Sequence, residues 1–367
     1  MRAKEGERRT RAERIDPRLK AARWTAIRRF VPGLDITSLA STAVEEYETS
    51  IGPADYALCD NGAIRGIVEA KKVTVGPQGV LTQAERYARA IAQEPRYQGE
   101  FGVPFLYSTN GEEIRFHDVR YPLNRSRSVA QFHTPSALAE MLDRDTDAEL
   151  TKLLALPQNA RVRPYQIEAN TALEQGIRER KRKMLLTMAT GTGKTLTMVN
   201  EVHRLMKSGV ARRVLFLVDR RALAAQAVRA FASFEAEPGL KFNKIYSLYS
   251  QRFQQADFEE GDSWDPNVMP NTLLTNPKPG DAFVYVATIQ RMAINLFGRE
   301  YAPYAGDEVP EDDAGQLDIP IHAFDLIVAD ECHRGYSSSE AALWRRTLDH
   351  FDAIKVGLTA TPAQQHP

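Results

Sequence analysis

The stretch "MATGTGKTLTM" (188–198) decides how the second half of the sequence folds. It follows an apolar run, MLLTM (184–188), and leads into residues with helical spacing. A strand that passes through a glycine-rich turn into a helix is the context of a phosphate-binding loop. Gly191 and Gly193 let backbone N–H groups turn toward phosphate oxygens, and the helix N-terminus adds positive potential. Thr190, Gly191, Thr192 and Gly193 would line the phosphates. Lys194 would reach the β- and γ-phosphates of ATP, and Thr195 would ligate Mg²⁺. The general pattern has a glycine where Met188 stands.

Working outward, strands alternate with helices from residue 161 onward. The expected strands are MLLTM (184–188), VLFLV (214–218), KIYSL (244–248), FVYVAT (283–288), FDLIVA (324–329) and KVGLTAT (355–361). Most are near-continuous apolar runs, as parallel strands covered on both faces require. The expectation is a parallel-sheet α/β domain over 161–367, with surface loops at 252–281 and 297–320. "FDLIVADECH" (324–333) supplies an acidic pair after a strand. Asp330 is placed to hold Mg²⁺ through water and Glu331 to polarise an attacking water.

Upstream, Pro122, Pro135 and Pro157 punctuate a polar stretch, read as a connector over 121–160. Residues 1–120 read as a separate α/β unit. Ile15, Leu19, Ala22 and Ile27 have helical spacing over 10–30. Strands are expected at 43–49, 54–59 and 63–70, and an amphipathic helix at "LTQAERYARAIAQ" (81–93). "VPFLYSTNGEEIRFHDV" (103–119) reads as strand, Asn-Gly turn, strand.

Within this unit, "PADYALCDNGAIRGIVEAKK" (53–72) is a hairpin carrying Asp55, Glu69 and Lys71 where apolar residues would pack better. Strand alternation puts Glu69 and Lys71 on one face. A two-residue Asn61-Gly62 loop with regular pairing would send Asp55 to the other face. A three-residue loop, Asp60-Asn61-Gly62, pairs Asp55 with Ile67 and makes Glu69 its same-face diagonal neighbour. That odd-numbered loop is the expectation, because two such carboxylates can hold one divalent ion. Lys71 could then orient or activate a water on it. Gln83 and Tyr87 follow at i, i+4 on the next helix.

Lys+Arg and Asp+Glu are both 48, so net charge indicates no partner class. The arginine-rich first thirty residues read as a solvated helix face or a phosphate-contacting patch. Cys59 and Cys332 are the two cysteines, which fits a reducing cytoplasm and no disulfide framework. No apolar run approaches the roughly 20 residues that span a bilayer, and no secretory signal opens the chain, so no membrane partner is expected.

ATGTGKT (189–195), DECH (330–333) and GLTATP (357–362) together resemble motifs I, II and III of superfamily 2 helicases and translocases, whose loops often lack the glycine replaced here by Met188. The implied fold is a RecA-like lobe. "RPYQIEA" (163–169) resembles their adenine-reading element, which gives Gln166 to the adenine edge with Tyr165 nearby. "FLVDRRALAAQ" (216–226) and "VATIQRM" (286–292) resemble DNA-contacting motifs, so Arg220, Thr288 and Gln290 are either DNA contacts or helix-start and packing residues.

The P-x-D…E-x-K pattern resembles the PD-(D/E)xK nuclease core, and Gln83 with Tyr87 the Q-x-x-x-Y extension of its RecB-like branch. "RIDPRLKAARW", "GIVEAKK" and "YSTNGEEIRF" resemble the N-terminal region of type I restriction endonuclease motor (R) subunits, with Ala22-Arg23-Trp24 for the usual Ala-Gly-Trp. That family places this nuclease before a superfamily 2 translocase, whereas a type III subunit carries its nuclease after the motor. The resemblance implies an ATP-dependent translocase joined to a Mg²⁺-dependent endonuclease, acting on double-stranded DNA. Methyltransferase and specificity subunits would be its partners. It also implies a second motor lobe beyond GLTATPAQQHP, without which hydrolysis of bound ATP is expected to be poor. The rival expectations are a stand-alone helicase–nuclease and a non-cleaving DNA-binding motor.

Overall fold

Alternating apolar residues in 42–70 and 103–119 build the first sheet, and apolar runs after 180 build the second. The structure, a computed structural model, describes residues 7–72, 76, 81–91, 94–253, 267–300, 314–330 and 338–360. It divides into two units, Met1–Arg144 and Asp145–Pro367.

The first unit opens with α1 (Glu7–Thr10), a π-helical turn (Arg11–Ile15) and α2 (Asp16–Ala21). The helical spacing expected as far as Ile27 stops at Ala21. Arg23 takes a left-handed φ of 66°, and the buried Trp24 donates Nε1–H to the His133 carbonyl at 3.0 Å. That anchor turns the chain into β1 (Ala26–Arg29), which pairs parallel with β2 (Thr42–Thr49). β3 (Gly52–Asp60) and β4 (Ala63–Ala70) follow as a hairpin. α3 (Leu81–Arg89) crosses over to β5 (Phe105–Thr109), which lies parallel to β4. β6 (Ile114–Asp118) and β7 (Arg127–Val129) complete a seven-stranded sheet in sequence order. α4 (Pro135–Asp143) closes the unit, its N-terminus capped by the Thr134 hydroxyl.

The expected connector is divided between the units. β7 pairs with β6, and the buried His133 meets the Tyr107 hydroxyl at 2.8 Å through Nδ1, so 121–134 is part of the first sheet and its cover. α5 (Thr146–Ala155) belongs to the second unit. It packs with α6 (Pro164–Arg178) and α7 (Lys194–Ser208). Arg204 fixes this arrangement. It pairs with Glu174 at 2.6 Å, both side chains 4% exposed, and donates to the carbonyls of Leu153, Leu156 and Pro157. Removing one partner of a buried ion pair strands the other charge. Arg204→Met is therefore expected to lower stability by about 3–5 kcal/mol. A urea unfolding midpoint equal to wild type would contradict this.

The second sheet is built from β8 (Lys183–Thr187), β9 (Arg213–Val218), β12 (Ser247–Ser250), β13 (Asn267–Val268), β14 (Phe283–Thr288), β15 (Leu326–Ala329) and β16 (Ile354–Thr359). β10 (Glu235–Glu237) and β11 (Leu240–Lys241) form a separate short hairpin. The sheet order is β13-β12-β14-β9-β15-β16-β8, every pair parallel. This is the RecA-like arrangement. The strand expected at 244–248 begins later, because Phe242–Ile245 winds into α9 with Phe242 buried against Phe231 and Tyr246.

α8 (Arg221–Ser233) lies on one face with α6 and α7, where Val214, Phe216 and Val218 pack. α10 (Asn271–Thr275), α11 (Ile289–Phe297) and α12 (Ser338–His350) lie on the other, with Leu215 and Leu217. Both faces of the central strands are therefore covered, as the apolar runs require. β8 differs. Met184 and Leu186 pack inward while Leu185 remains 54% exposed.

Candidate functional site

In the first unit, the Asn61-Gly62 turn has two residues, closed by the Asp60–Ala63 pair. Both central residues take positive φ, 47° and 73°, the mirror-image turn whose twist suits a hairpin. The expected three-residue loop is thus corrected. The parity it was meant to supply comes instead from a β-bulge. Cys59 pairs with Ile64 but Leu58 with Gly66, which leaves Arg65 as the extra residue. A Cβ on Gly66 would come within 2.4 Å of the Phe105 carbonyl oxygen, so only glycine fits beside the bulge. Arg65 is held by Glu94 at 2.5 Å, both buried.

Beyond the bulge Tyr56 pairs with Val68, and one residue further along Asp55 stands opposite Glu69. The same-face expectation for these carboxylates therefore holds, by a different route. Asp55 Oδ2 accepts the Ala70 N–H at 2.7 Å. Lys71 Nζ lies 2.8 Å from Glu69 Oε1. Glu69 is 2% exposed, and its Oε2 is buried with no hydrogen bond. An orphaned carboxylate oxygen facing a second carboxylate fits a divalent cation. Among the described residues no group of three or more His, Cys, Asp or Glu forms a metal-holding cluster, so Asp55 and Glu69 would share coordination with carbonyls and water. That suits Mg²⁺, which keeps several waters. Gln83 and Tyr87 lie one turn apart on α3, half-buried, and α3 packs on β4.

Burial, and then the charge of Asp55, push the Glu69 carboxyl up to about 7, while Lys71 pulls the other way. Between its ordinary value of 4.5 and about 7 the folded protein binds more protons here than the unfolded chain. The metal-free protein should therefore lose stability as pH rises through that window. Glu69→Gln should remove that part of the slope. Unfolding midpoints from pH 5 to pH 8 that run parallel in the two proteins would contradict this.

In the second unit the glycine-rich loop expected to bind phosphate leaves the C-terminal end of β8. Gly191 and Gly193 take φ of 75° and 80°. Lys194 begins α7, and Lys194 Nζ lies 3.5 Å from the Met188 carbonyl. Thr190 and Gly191 are exposed, while Thr192, Lys194 and Thr195 are half-buried. A Cβ on Gly193 would lie 2.8 Å from Gln166 Nε2.

Gln166 is 2% exposed. It donates to the Thr192 carbonyl at 3.1 Å and to that of Gly193 at 3.4 Å, and its Oε1 accepts the Arg163 N–H at 3.0 Å. The Tyr165 hydroxyl donates to the same Thr192 carbonyl at 2.9 Å. The two residues assigned to the adenine thus brace the phosphate loop in this structure.

Met188 N–H donates to the Thr359 carbonyl, and Asp330 N–H to that of Leu217. The loop and Asp330 therefore follow the ends of β8 and β15 at one edge of the sheet, with β16 between them. Two strand spacings are about 10 Å. Glu331 and the rest of DECH, with Thr361 and Pro362, lie outside the described residues.

Arg220 and Thr288 occupy the same edge. Arg220 is the exposed N-cap of α8, 3.5 Å from Asp219. Thr288 is buried, and its hydroxyl caps α11 and donates to Gln251 at 3.0 Å. The cap at Arg291 N–H is the contact that the helix-start alternative calls for. Gln290 lies in the first turn of α11 with Oε1 buried and without a hydrogen bond. Among the described residues no helix is long and apolar enough to cross a membrane.

A profile of the family described as "Type III restriction enzyme, res subunit" matches residues 159–364, more than half of the chain. The chain belongs to this family. The res-subunit match lies within the second unit. A second profile, "Type I restriction enzyme EcoKI endonuclease subunit second domain", matches residues 29–142, within the first. The chain is 30% identical to the EcoKI type I endonuclease subunit of Escherichia coli K12 over 95% of its length and 32% of that protein. It is 28% identical to the EcoAI endonuclease subunit of Escherichia coli, over 83% of this chain and 35% of that one. A solved fragment of a type I HsdR subunit from Vibrio vulnificus YJ016 is similar at 22% identity and a TM-score of 0.32, covering 98% of this chain and 56% of that chain. The two profile matches and the similarity to the EcoKI subunit bear out the resemblance to a type I motor subunit carrying a helicase lobe. The chain spans about a third of the length of the curated relatives it matches.

Proposed function

We propose that this chain carries the endonuclease and first motor lobe of an ATP-dependent type I restriction subunit that cleaves unmodified double-stranded DNA in the cytoplasm. Methyltransferase and specificity subunits would supply target recognition. The observation that carries the reading is the bulge-set register that brings Asp55 opposite Glu69, with Lys71 2.8 Å from Glu69. It occurs in a chain whose glycine-rich loop joins a strand to a helix N-terminus, the setting that supports phosphate binding.

Asp55 and Glu69 would hold Mg²⁺ and fix its position against the DNA backbone. A cation bound there supplies a water of lowered pKa and stabilises charge on the phosphate. Lys71 would orient the attacking water or stabilise the developing charge, with Gln83 and Tyr87 supporting from α3. In the motor, Thr190 to Gly193 would cradle the triphosphate and Lys194 would meet its terminal phosphates. Thr195 and Asp330 would hold the accompanying Mg²⁺, and Glu331 would polarise water. Tyr165 and Gln166 would carry adenine binding to the loop they brace. Arg220 and Gln290 remain proposed DNA contacts.

The test is plasmid cleavage by the whole subunit assembled with its partners. Cleavage should need both Mg²⁺ and ATP and disappear in Asp55→Asn. Unchanged cleavage by Asp55→Asn would refute the nuclease assignment. Cleavage by wild type without ATP would favour a stand-alone helicase–nuclease.

A further inference from the structure

Each carboxylate of the nuclease centre already has a cation from within the chain. Lys71 serves Glu69. The cation at Asp55 is Arg11, the first residue of the π-helical turn, a rare geometry that recurs at functional sites. Its Nη2 lies 2.5 Å from Glu46 Oε1 and its Nη1 3.2 Å from Asp55 Oδ1. The two attachments differ in kind. The Asp55 contact lacks hydrogen-bond geometry, and both Nη1 and Nε are buried without a hydrogen bond. A guanidinium built only to brace a half-buried carboxylate would seat those donors, because leaving buried donors unmet is costly.

Glu46 shows why the arginine sits there. It takes a φ of 52° inside β2, between Glu45 paired with Tyr56 and Tyr47 paired with Ala54. A non-glycine residue holds that conformation only where its surroundings impose it. Here it meets Arg11. Glu45 also lies beside Arg11 and Asp16, the latter accepting the Tyr56 hydroxyl at 2.7 Å.

We propose that Arg11, anchored by Glu46, is the resident counter-ion of the nuclease centre and competes with the divalent cation for Asp55. This rests on the metal-dependent nuclease reading. In the metal-free protein Arg11 offsets repulsion between Asp55 and Glu69. When a cation enters, Arg11 gives up the loose contact to Asp55 and keeps the short one to Glu46. The N-terminal helix thereby sets the cation affinity of the centre.

The experiment is Mn²⁺ binding to the full chain, followed by electron paramagnetic resonance, with folding checked by circular dichroism. Arg11→Met should bind Mn²⁺ at least tenfold more tightly than wild type. Glu46→Gln should bind it more weakly, because Arg11 then falls back on Asp55. General damage to the fold would weaken both, so opposite shifts are the signature. If Arg11→Met does not fold, Glu46→Gln alone decides, and Arg11→Lys should restore binding close to wild type. Unchanged or weaker binding by a folded Arg11→Met, or tighter binding by Glu46→Gln, overturns the counter-ion role if Asp55→Asn abolishes binding. Wild-type affinity in Asp55→Asn, or no Mn²⁺ binding by wild type, removes the metal site itself and the inference with it.

Discussion

Lys194→Ala should weaken binding of Mg–ATP to this chain by roughly 10- to 150-fold without disturbing the fold. A charge-assisted hydrogen bond contributes about 1.5–3 kcal/mol net, and each 1.4 kcal/mol is about tenfold in affinity. Lys194 is half-buried at the first position of α7. Alanine is the best helix former, so the helix itself should tolerate the change. Fluorescence anisotropy with a labelled ATP analogue measures the loss directly. In the full subunit, DNA-stimulated ATP hydrolysis should fall below about a tenth of wild type, a barrier increase of at least ~1.4 kcal/mol. Retention of wild-type nucleotide affinity would mean that Gly191, Gly193 and Lys194 form an ordinary turn.

Glu69→Gln should abolish Mg²⁺-dependent cleavage, by about a thousandfold or more, equivalent to ~4 kcal/mol in barrier. It keeps the shape of a buried side chain and removes a charge that burial already disfavours. Loss of activity then cannot be put down to unfolding. ATP binding should be unaffected, because Glu69 and the phosphate loop belong to different units. Cleavage within tenfold of wild type would show that the hairpin carboxylates serve another purpose. Loss of ATP binding would show that they serve the motor.

The second unit was legible because its signals are local. A strand, two glycines, a lysine and a helix stand in one short stretch, and the apolar runs of β9, β14 and β15 report burial on both faces. The strand misplaced at 244–248 lies in a short apolar run, where strand and buried helical turn cannot be told apart by periodicity. The hairpin was half legible. Asn61-Gly62 carried the two-residue signal and Arg65-Gly66 the bulge signal, a glycine inside a strand. Reading only the need for odd parity assigned it to the wrong place. Arg11 and Glu46 were missed because their contact joins residues remote in sequence and depends on a left-handed backbone at Glu46. The arginine-rich first thirty residues were the available signal. The bracing of the phosphate loop by Tyr165 and Gln166 escaped for a related reason. It runs through backbone carbonyls, which no side-chain pattern announces.

The bulge at Arg65 has a consequence for how such genes diverge. Side chains along a strand alternate, so a slip of one residue carries a whole set to the opposite face. Loss of the bulge without loss of a residue, as a side chain at Gly66 would bring about, would pair Asp55 with Val68 and leave the aspartate, the glutamate and the lysine all written in the gene. The encoded carboxylates would no longer converge. Among diverging copies of such a centre, inactivation can thus arrive through a residue outside the motif, and a search that counts the motif's letters alone would score that copy as intact.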